Sequence, residues 1–276
     1  MARYDYIDIH VHTDYSAFDC ECPMESYLKL VEDGTARGVG FADHIHPVHE
    51  QWAARYGEDR QPFDGDGYTA DIMAAKGRGL NVYQGIEVTY EKGAYDFTVK
   101  RLADNPYDYF IGSAHSFDGM WVSRDYHANM YAGKAFDWVV NGYYDAILDV
   151  VAVPAFDVVG HIGVYKRYLP AGHRLMRYGA ALIAEREDQV ARVCAQSGKI
   201  VEVNTSGFGA PSQKSMPSDD FLRMYKRHGG ERVCLASDCH DVSKLNQGFD
   251  EAADMLRAIG FAYIYYPWDA ENPVKL

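Results

Sequence analysis

Seven short apolar stretches recur along the chain, and polar residues punctuate their ends. In residues 6–12, apolar Ile7, Ile9 and Val11 alternate with polar side chains, a period of two that is typical of a β-strand. The six later stretches are residues 39–42, 81–88, 109–114, 158–160, 199–204 and 233–237. This pattern predicts seven strands.

Helical patterns separate these strands. Pro23 stands where the first turn of a helix tolerates proline, and Tyr27 and Leu28 belong to an apolar face, which predicts a helix over residues 24–37 that Gly38 ends. Further helices are predicted near residues 68–76, 135–153, 178–196, 221–228 and 251–259. The Tyr-rich tail after the last helix is a candidate for one more strand.

The alternation of strands and helices determines the expected fold class. It predicts an α/β fold with a parallel sheet and right-handed crossovers. Seven strands without a sign of a sheet reversal favour a closed, TIM-barrel-like (β/α)7 barrel over an open sheet, and barrels of this kind carry their chemistry at the carboxyl ends of the strands. Because we find no internal repeat, low-complexity tract or linker, we expect residues 1–276 to form a single domain.

Metal-binding residue types mark the ends of six of the predicted strands, and the sixth strand ends on Asn204. These residues are His10, His12, His44, Glu87, His115, His161, Asp238 and His240. A single one is more often a packing residue, but convergence of so many at one barrel mouth points to metal binding. Imidazole and carboxylate together suit zinc, iron or manganese. Since one ion does not use so many ligands, we predict two or three ions, bridged by Glu87 or Asp238.

Composition narrows the partners and the compartment. The chain has 27 Lys and Arg against 40 Asp and Glu, a net charge of −13, which disfavours binding to nucleic acid. No apolar run is long enough for a membrane span, and the N-terminus does not read as a signal peptide. Five scattered cysteines suggest no disulfide framework. We therefore predict a reduced, cytoplasmic protein without a membrane partner, whose oligomeric state the sequence leaves open.

Sequence motifs around the candidate ligands resemble those of the PHP (polymerase and histidinol phosphatase) superfamily, from the first predicted strand to the seventh. The matching stretches are residues 8–13 (DIHVHT), 41–44 (FADH), 85–87 (GIE), 112–115 (GSAH), 159–161 (VGH), 202–207 (EVNTSG) and 236–240 (ASDCH). The resemblance implies a distorted seven-stranded β/α barrel with a trinuclear metal centre.

The resemblance also implies a division of the ligands among three ions. It implies one ion held by His10, His12, Glu87 and Asp238, a second that Glu87 bridges and that His115 and His161 hold, and a third held by His44, His240 and the best-matching acidic residue of the first loop, Asp19. Among these, Glu87, Asp238 and His240 are the expected catalytic residues. We predict that four other histidines, His46, His49, His127 and His173, are solvated loop residues.

Such a centre suits the hydrolysis of phosphoesters. Metal ions lower the pKa of bound water to about 7, which provides a hydroxide nucleophile at neutral pH, and ions about 3.5–4 Å apart bind both the attacking and the leaving oxygen. Clustered cations also neutralise phosphoryl oxygens as charge develops. We find no protein nucleophile with a general base beside it. The sequence therefore predicts a metal-dependent phosphoester hydrolase.

A stand-alone barrel of this length most resembles the histidinol-phosphatase branch of the superfamily. This resemblance implies hydrolysis of L-histidinol phosphate to L-histidinol and phosphate in histidine biosynthesis. That branch grips the phosphate with arginines, and Arg167 is the first candidate here. A second basic residue expected after the sixth strand is missing, and Lys214 or Arg124 could replace it. Gly163 stands where the branch carries an acidic residue.

Two alternatives remain open from the sequence. One is a phosphodiesterase or nuclease, like the superfamily members attached to DNA polymerases, although the net charge of −13 and the lack of a basic arm argue against it. The other is a metal-bound domain without catalytic activity, which a nearly complete ligand set argues against.

Overall fold

The computed structural model describes residues 6–16, 20–46, 63–92, 105–124, 133–169 and 172–276. Its strands are β1 (Asp8–Val11), β2 (Val39–Phe41), β3 (His44–Ile45), β4 (Val82–Thr89), β5 (Tyr109–Ser113), β6 (Ser116–Phe117), β7 (Met120–Trp121), β8 (Val158–Val159), β9 (Ile200–Asn204), β10 (Val233–Ala236), β11 (Tyr263–Ile264) and β12 (Val274–Lys275). Its α-helices are α1 (Met24–Glu32), α2 (Gly65–Gly77), α3 (Phe136–Ala152), α4 (Arg174–Tyr178), α5 (Ala180–Ser197), α6 (Asp219–Arg227) and α7 (Phe249–Ile259).

The main sheet is parallel and nearly closes on itself. Its strands follow the order β1-β2-β4-β5-β8-β9-β10, and the short β3 continues the line of β2 by pairing with β4. Beyond β10, the backbone N–H of His12 donates to the carbonyl of Cys239 at 3.0 Å, which links the first strand to the last. All seven predicted strands are present, and the predicted parallel, TIM-barrel-like α/β barrel is confirmed.

Tyr109 ties strands together inside the barrel. This fully buried side chain belongs to β5, and its hydroxyl, which has one proton to donate, lies 2.6 Å from the carbonyl oxygen of Ile9 and 3.2 Å from that of Phe41. Its ring needs glycine opposite, because a Cβ at Gly85 would lie 2.2 Å from Tyr109 Cζ. The glycine in β4 is therefore a packing requirement of the barrel interior.

The end of the first predicted helix, an additional short helix and the tail differ from the prediction. Helix α1 ends at Glu32 rather than near residue 37, because Gly34 takes a φ of 77° and turns the chain. The helix predicted over residues 178–196 is present as α5, and the short helix α4, which was not predicted, precedes it and is separated from it by Gly179. The tail forms a separate antiparallel pair, β11 with β12. In the described part of the chain, no helix combines the length and apolarity needed to cross a membrane.

Candidate metal centre

The carboxyl ends of the barrel strands bring eight of the nine predicted metal ligands together. Seven are buried, and His240 is half-buried at the edge of the group. The ninth, Asp19, lies outside the described residues. The eight are His10 in β1, His12 after β1, His44 in β3, Glu87 in β4, His115 after β5, His161 after β8, and Asp238 and His240 after β10.

Glu87 lies at the centre of this group. Its Oε2 atom is 2.7 Å from His44 Nδ1 and 3.3 Å from His10 Nε2. Its Oε1 atom is 2.7 Å from His161 Nε2 and 3.2 Å from His115 Nε2. Rings from four parts of the chain thus meet on one carboxylate, which is the arrangement expected of a bridging ligand.

Asp238 forms the second acidic point of the centre. Its Oδ1 atom is 3.2 Å from His12 Nε2 and 4.0 Å from His240 Nδ1. Its Oδ2 atom accepts a hydrogen bond from Asn204 Nδ2 at 3.3 Å and lies 3.7 Å from Arg167 Nη1. The backbone at Asp238 has a φ of 51°, a strained conformation of the kind that active sites retain.

The electrostatics of the group favour charged carboxylates. Burial raises the pKa of Glu87, but the imidazoles of His115, His44 and His10 outweigh burial and hold this pKa well below its usual range. Burial also raises the pKa of Asp238, but the neighbouring histidines outweigh burial and hold this pKa well below its usual range. A deprotonated carboxylate is the form that a metal ion binds.

Neutral imidazole is favoured at His12. Burial, together with the nearby rings of His44 and His240, lowers the pKa of His12 well below its usual value. A neutral imidazole is the form of histidine that binds a metal ion. The protonation state of His12 therefore suits the same role.

Three overlapping triads have ligand atoms close enough to hold an ion. Within each triad the ligand atoms lie within 4.8 Å of one another, and the triads are His10, His12 and Glu87; His44, Glu87 and His115; and His12, His44 and His240. In the described residues, the buried atoms His10 Nε2, His12 Nε2 and Glu87 Oε2 meet no partner in hydrogen-bond geometry. Buried polar atoms need partners, and this nitrogen and oxygen set suits divalent metal ions.

Two supporting residues behind the ligands were not assigned a role from the sequence. Glu202 Oε1 lies 2.5 Å from His10 Nδ1, and Thr89 Oγ1 lies 2.7 Å from His115 Nδ1. Partners of this kind fix the orientation of metal-binding histidines. A sequence signal existed for Glu202, because strand periodicity places it on the same side of β9 as Asn204.

Buried aspartates hold the first and last strands in place. Asp43 accepts hydrogen bonds from the backbone N–H of Thr13 at 2.7 Å and from the hydroxyl of Ser16 at 2.6 Å. Asp8 accepts from the backbone N–H of Ser237 at 3.0 Å, and burial raises the pKa of Asp8 to about 6. These bonds fix the segments that carry His12 and Asp238.

Among the three predicted substrate-binding cations, Arg167 lies beside Asp238 of the centre. Arg167 and Lys214 line the same cavity of about 510 Å³, which extends between α5 and α6. Lys214 is exposed, and its Nζ donates to Asp219 Oδ1 at 2.9 Å. Arg124 is half-buried and follows β7, three residues after Trp121.

The turn that carries Arg167 is firmly anchored. Gly163 begins it with a φ of 95°, and its N–H donates to the hydroxyl of Tyr143 at 2.8 Å. Lys166 forms an ion pair with the buried Glu187 of α5. Glycine at position 163 therefore meets a backbone requirement, and the turn holds Arg167 beside Asp238.

The prediction that His46 is a solvated loop residue is wrong. Its ring stacks on His44 with centroids 5.0 Å apart and meets Trp121 edge-on at 5.4 Å. Its Nδ1 atom lies 2.5 Å from Thr89 Oγ1. The contacts with Trp121 and Thr89 come from distant segments of the chain, so no local pattern indicated them. His173 caps α4 by accepting from the N–H of Leu175, and His49 and His127 lie outside the described residues.

Comparison with known proteins assigns the family. A model of the PHP domain matches residues 8–206, a span that includes β1 through β9. The chain belongs to the PHP domain family. The match contains six of the eight clustered residues, and the remaining two, Asp238 and His240, follow it along the chain.

Similar proteins match this PHP protein over most of their length. It is 26% identical over 257 residues to a probable histidinol-phosphatase of Deinococcus radiodurans, covering 92% of this chain and 93% of the relative. It is 24% identical over 262 residues to a histidinol-phosphatase of Lactococcus lactis, covering 92% and 91%.

A solved structure shares the fold. The crystal structure of histidinol phosphate phosphatase from Lactococcus lactis, complexed with zinc, L-histidinol and phosphate, matches with a TM-score of 0.75 and 20% identity. The match covers 93% of this chain and 94% of that one.

Proposed function

We propose that this PHP protein is a metal-dependent phosphomonoesterase and that L-histidinol phosphate is its substrate. The observation that carries the proposal is the buried cluster of imidazoles around Glu87, with Arg167 at its edge beside Asp238. Relatives that share more than nine-tenths of their length with this chain are named histidinol-phosphatases, which supports the choice of substrate.

Two to three divalent ions would occupy the cluster, and zinc, manganese or iron fits its nitrogen and oxygen ligands. The residues that would hold them are His10, His12, His44, Glu87, His115, His161, Asp238 and His240, with Asp19 as a further candidate. Bound ions would supply an activated water and neutralise charge on the phosphoryl oxygens.

The side chains of this chain would then perform three tasks. Glu87 holds imidazoles from four segments in one place, and Asp238 joins that group to the Asn204 amide. Arg167 would bind a phosphoryl oxygen, because its guanidinium lies next to the centre and can donate two charge-assisted hydrogen bonds. His240, at the half-buried edge, is the catalytic candidate nearest to solvent, and Lys214 or Arg124 would assist at the rim.

The substrate class follows from charge. A monoester dianion carries one more negative charge than a diester at neutral pH, and the guanidinium of Arg167 would bind the more highly charged phosphate more tightly. A small phosphorylated substrate also fits a protein whose net charge is −13, since a nucleic acid would be repelled. All five cysteines are free thiols, which supports a reducing, cytoplasmic location, and we propose histidine biosynthesis as the setting.

The test is a substrate panel combined with the Arg167→Ala variant. Purified protein, loaded with zinc or manganese, is assayed with histidinol phosphate, other phosphomonoesters, a diester and a cyclic phosphate. One charge-assisted hydrogen bond is worth about 1.5–3 kcal/mol, so Arg167→Ala should lower kcat/KM for monoesters roughly ten- to a hundred-fold with unchanged metal content.

The matched control is Arg223→Ala, because exposed Arg223 lines the same cavity and should leave kcat/KM within about two-fold of the original value. Faster turnover of diesters than of monoesters would favour the phosphodiesterase alternative. No turnover of any ester by fully metal-loaded protein would favour the non-catalytic alternative. An unchanged kcat/KM in Arg167→Ala would shift phosphate binding to Lys214 or Arg124.

A further inference from the structure

Thr89 connects a predicted metal ligand to a histidine outside the ligand set. Its buried hydroxyl lies 2.7 Å from His115 Nδ1 and 2.5 Å from His46 Nδ1. A hydroxyl has a single proton to donate, so it can donate to only one of these two nitrogens. The other nitrogen must carry its own proton and donate to the Thr89 oxygen.

His115 decides the direction of these two bonds. Its Nε2 atom lies 3.2 Å from Glu87 Oε1, on the side of the cluster where a metal ion would bind. A nitrogen that binds a metal carries no proton, which leaves the proton of His115 on Nδ1. His115 Nδ1–H therefore donates to Thr89, which leaves the Thr89 hydroxyl proton to be donated to His46 Nδ1. Neutral His46 then carries its proton on Nε2.

His46 packs directly beside two of the predicted ligands. Its ring centroid lies 5.0 Å from that of His44 and 5.8 Å from that of His115. Trp121 packs against the edge of the same ring, with centroids 5.4 Å apart. The ring is thus held between two predicted ligands and the β6–β7 hairpin, and the Thr89 hydrogen bond fixes its tautomer.

We infer that His46 is a catalytic residue that presents its Nε2–H as a hydrogen-bond donor to the leaving-group oxygen of the phosphomonoester. This inference rests on the proposed function. A donor fixed in advance stabilises negative charge that develops on the leaving oxygen, without reorganisation during the reaction. The benefit should be largest for alkyl leaving groups, on which the developing charge is least stabilised.

The kinetic test compares leaving groups. Removing one fixed donor costs about 10²–10³ in kcat, so His46→Ala should reduce kcat by that factor with histidinol phosphate or glycerol 2-phosphate. With 4-nitrophenyl phosphate, the loss should be at least ten-fold smaller. Metal content should equal that of the original protein. An equal loss with all leaving groups, or a loss of metal, would overturn the inference and make His46 a support for His44 and His115.

Thr89 offers a matched pair of variants. Thr89→Val removes the hydroxyl but keeps the shape of the side chain, whereas Thr89→Ser keeps the hydroxyl. Thr89→Val should show the same dependence on the leaving group as His46→Ala, to a smaller extent, and Thr89→Ser should restore most of the rate. If Val and Ser behave alike, the hydroxyl does not orient His46.

A measurement without turnover separates this inference from the proposed function. Nitrogen-15 NMR of the zinc-loaded protein, with His46 assigned by comparison with His46→Ala, reports which ring nitrogen is protonated. We expect the Nε2–H tautomer, with loss of that preference in Thr89→Val. Observation of the Nδ1–H tautomer would overturn the inference even if the protein hydrolyses monoesters. The expected tautomer in a protein that hydrolyses none would leave the hydrogen-bond chain intact and contradict only the proposed function.

Discussion

Glu87 illustrates how a single residue can organise a site. A buried carboxylate is costly unless charges or hydrogen bonds compensate, and here imidazoles on His10, His44, His115 and His161 surround its two oxygens. Without bound cations, burying so many metal-ligating nitrogen and oxygen atoms away from water would cost free energy. The architecture of the cluster therefore favours occupancy by metal ions.

The first prediction concerns the bridge. Glu87→Gln should lower the metal content by more than one ion per chain, since a neutral amide is a poor bridging ligand, and it should lower kcat/KM by at least ~100-fold. Mutation of a supporting residue typically costs 10–100-fold in metal affinity or activity, so Glu202→Gln is the control and should show that smaller loss. Elemental analysis and kinetics measure both. Full metal content in Glu87→Gln would mean that Asp238 is the bridge.

The candidate ligands at the strand ends could be predicted from the sequence, whereas the residues that hydrogen-bond to them or pack against them could not. The alternation of apolar and polar residues predicted the first strand and placed His10 and His12 on the same side of it. Because parallel strands all end at the same mouth of a barrel, their position near the strand end predicted that they lie in the site. Thr89 and His46 depend on contacts between segments 43 residues apart, and no local pattern reports such contacts. The Asp19 assignment came from a motif match and stays a prediction.

Among the elements, β5 has a particular role because Tyr109 reaches across the barrel to β1 and β2. Its hydroxyl lies within hydrogen-bond distance of two backbone carbonyls. His10 lies in β1, and His44 follows β2 along the chain. Buried polar groups that lose a partner are expensive. The integrity of the barrel near the metal centre therefore depends on one phenol.

The second prediction tests this link. Tyr109→Phe removes the hydroxyl and leaves buried carbonyls at Ile9 and Phe41 without this donor, so the free energy of unfolding should fall by about 1–3 kcal/mol. Urea denaturation measures the change. Exposed Tyr263 is the control, and Tyr263→Phe should stay within about 0.5 kcal/mol. Equal effects of the two substitutions would show that the Tyr109 bonds contribute nothing.

Strand elements were more predictable than helix ends and short pairs. The seven barrel strands are buried runs bounded by polar residues, so their pattern is strong. The end of α1 was misplaced because Gly34 and Gly38 both fit a helix end, and Gly34 is the one with positive φ. The β6–β7 and β11–β12 pairs have two residues per strand, too few for a period to be visible.

At the scale of the whole molecule, the predicted metal ligands come from strands around the barrel. His10 lies in the first barrel strand and His12 just after it, and Asp238 and His240 follow the last barrel strand, β10. Ions bound between them would join the two edges of the sheet where backbone pairing is limited to an isolated bridge between Val11 and Cys239. Metal binding should therefore stabilise the closed barrel as well as the site.

The last prediction follows from that coupling. A ligand that binds only the folded protein at about 1,000 times its Kd stabilises it by about 4 kcal/mol, which corresponds to a rise in Tm of roughly 8–16 °C for a protein near this size. Removal of metal by a chelator should lower Tm by at least this amount, and zinc or manganese should restore it. Elemental analysis of the restored protein should give two to three ions per chain. His173→Ala, which alters a histidine that caps α4 and is not among the clustered residues, should bind as many ions as the unaltered protein. Less than one ion per chain after reconstitution with zinc, manganese and iron, or an unchanged Tm, would show that the clustered side chains stabilise the barrel without metal.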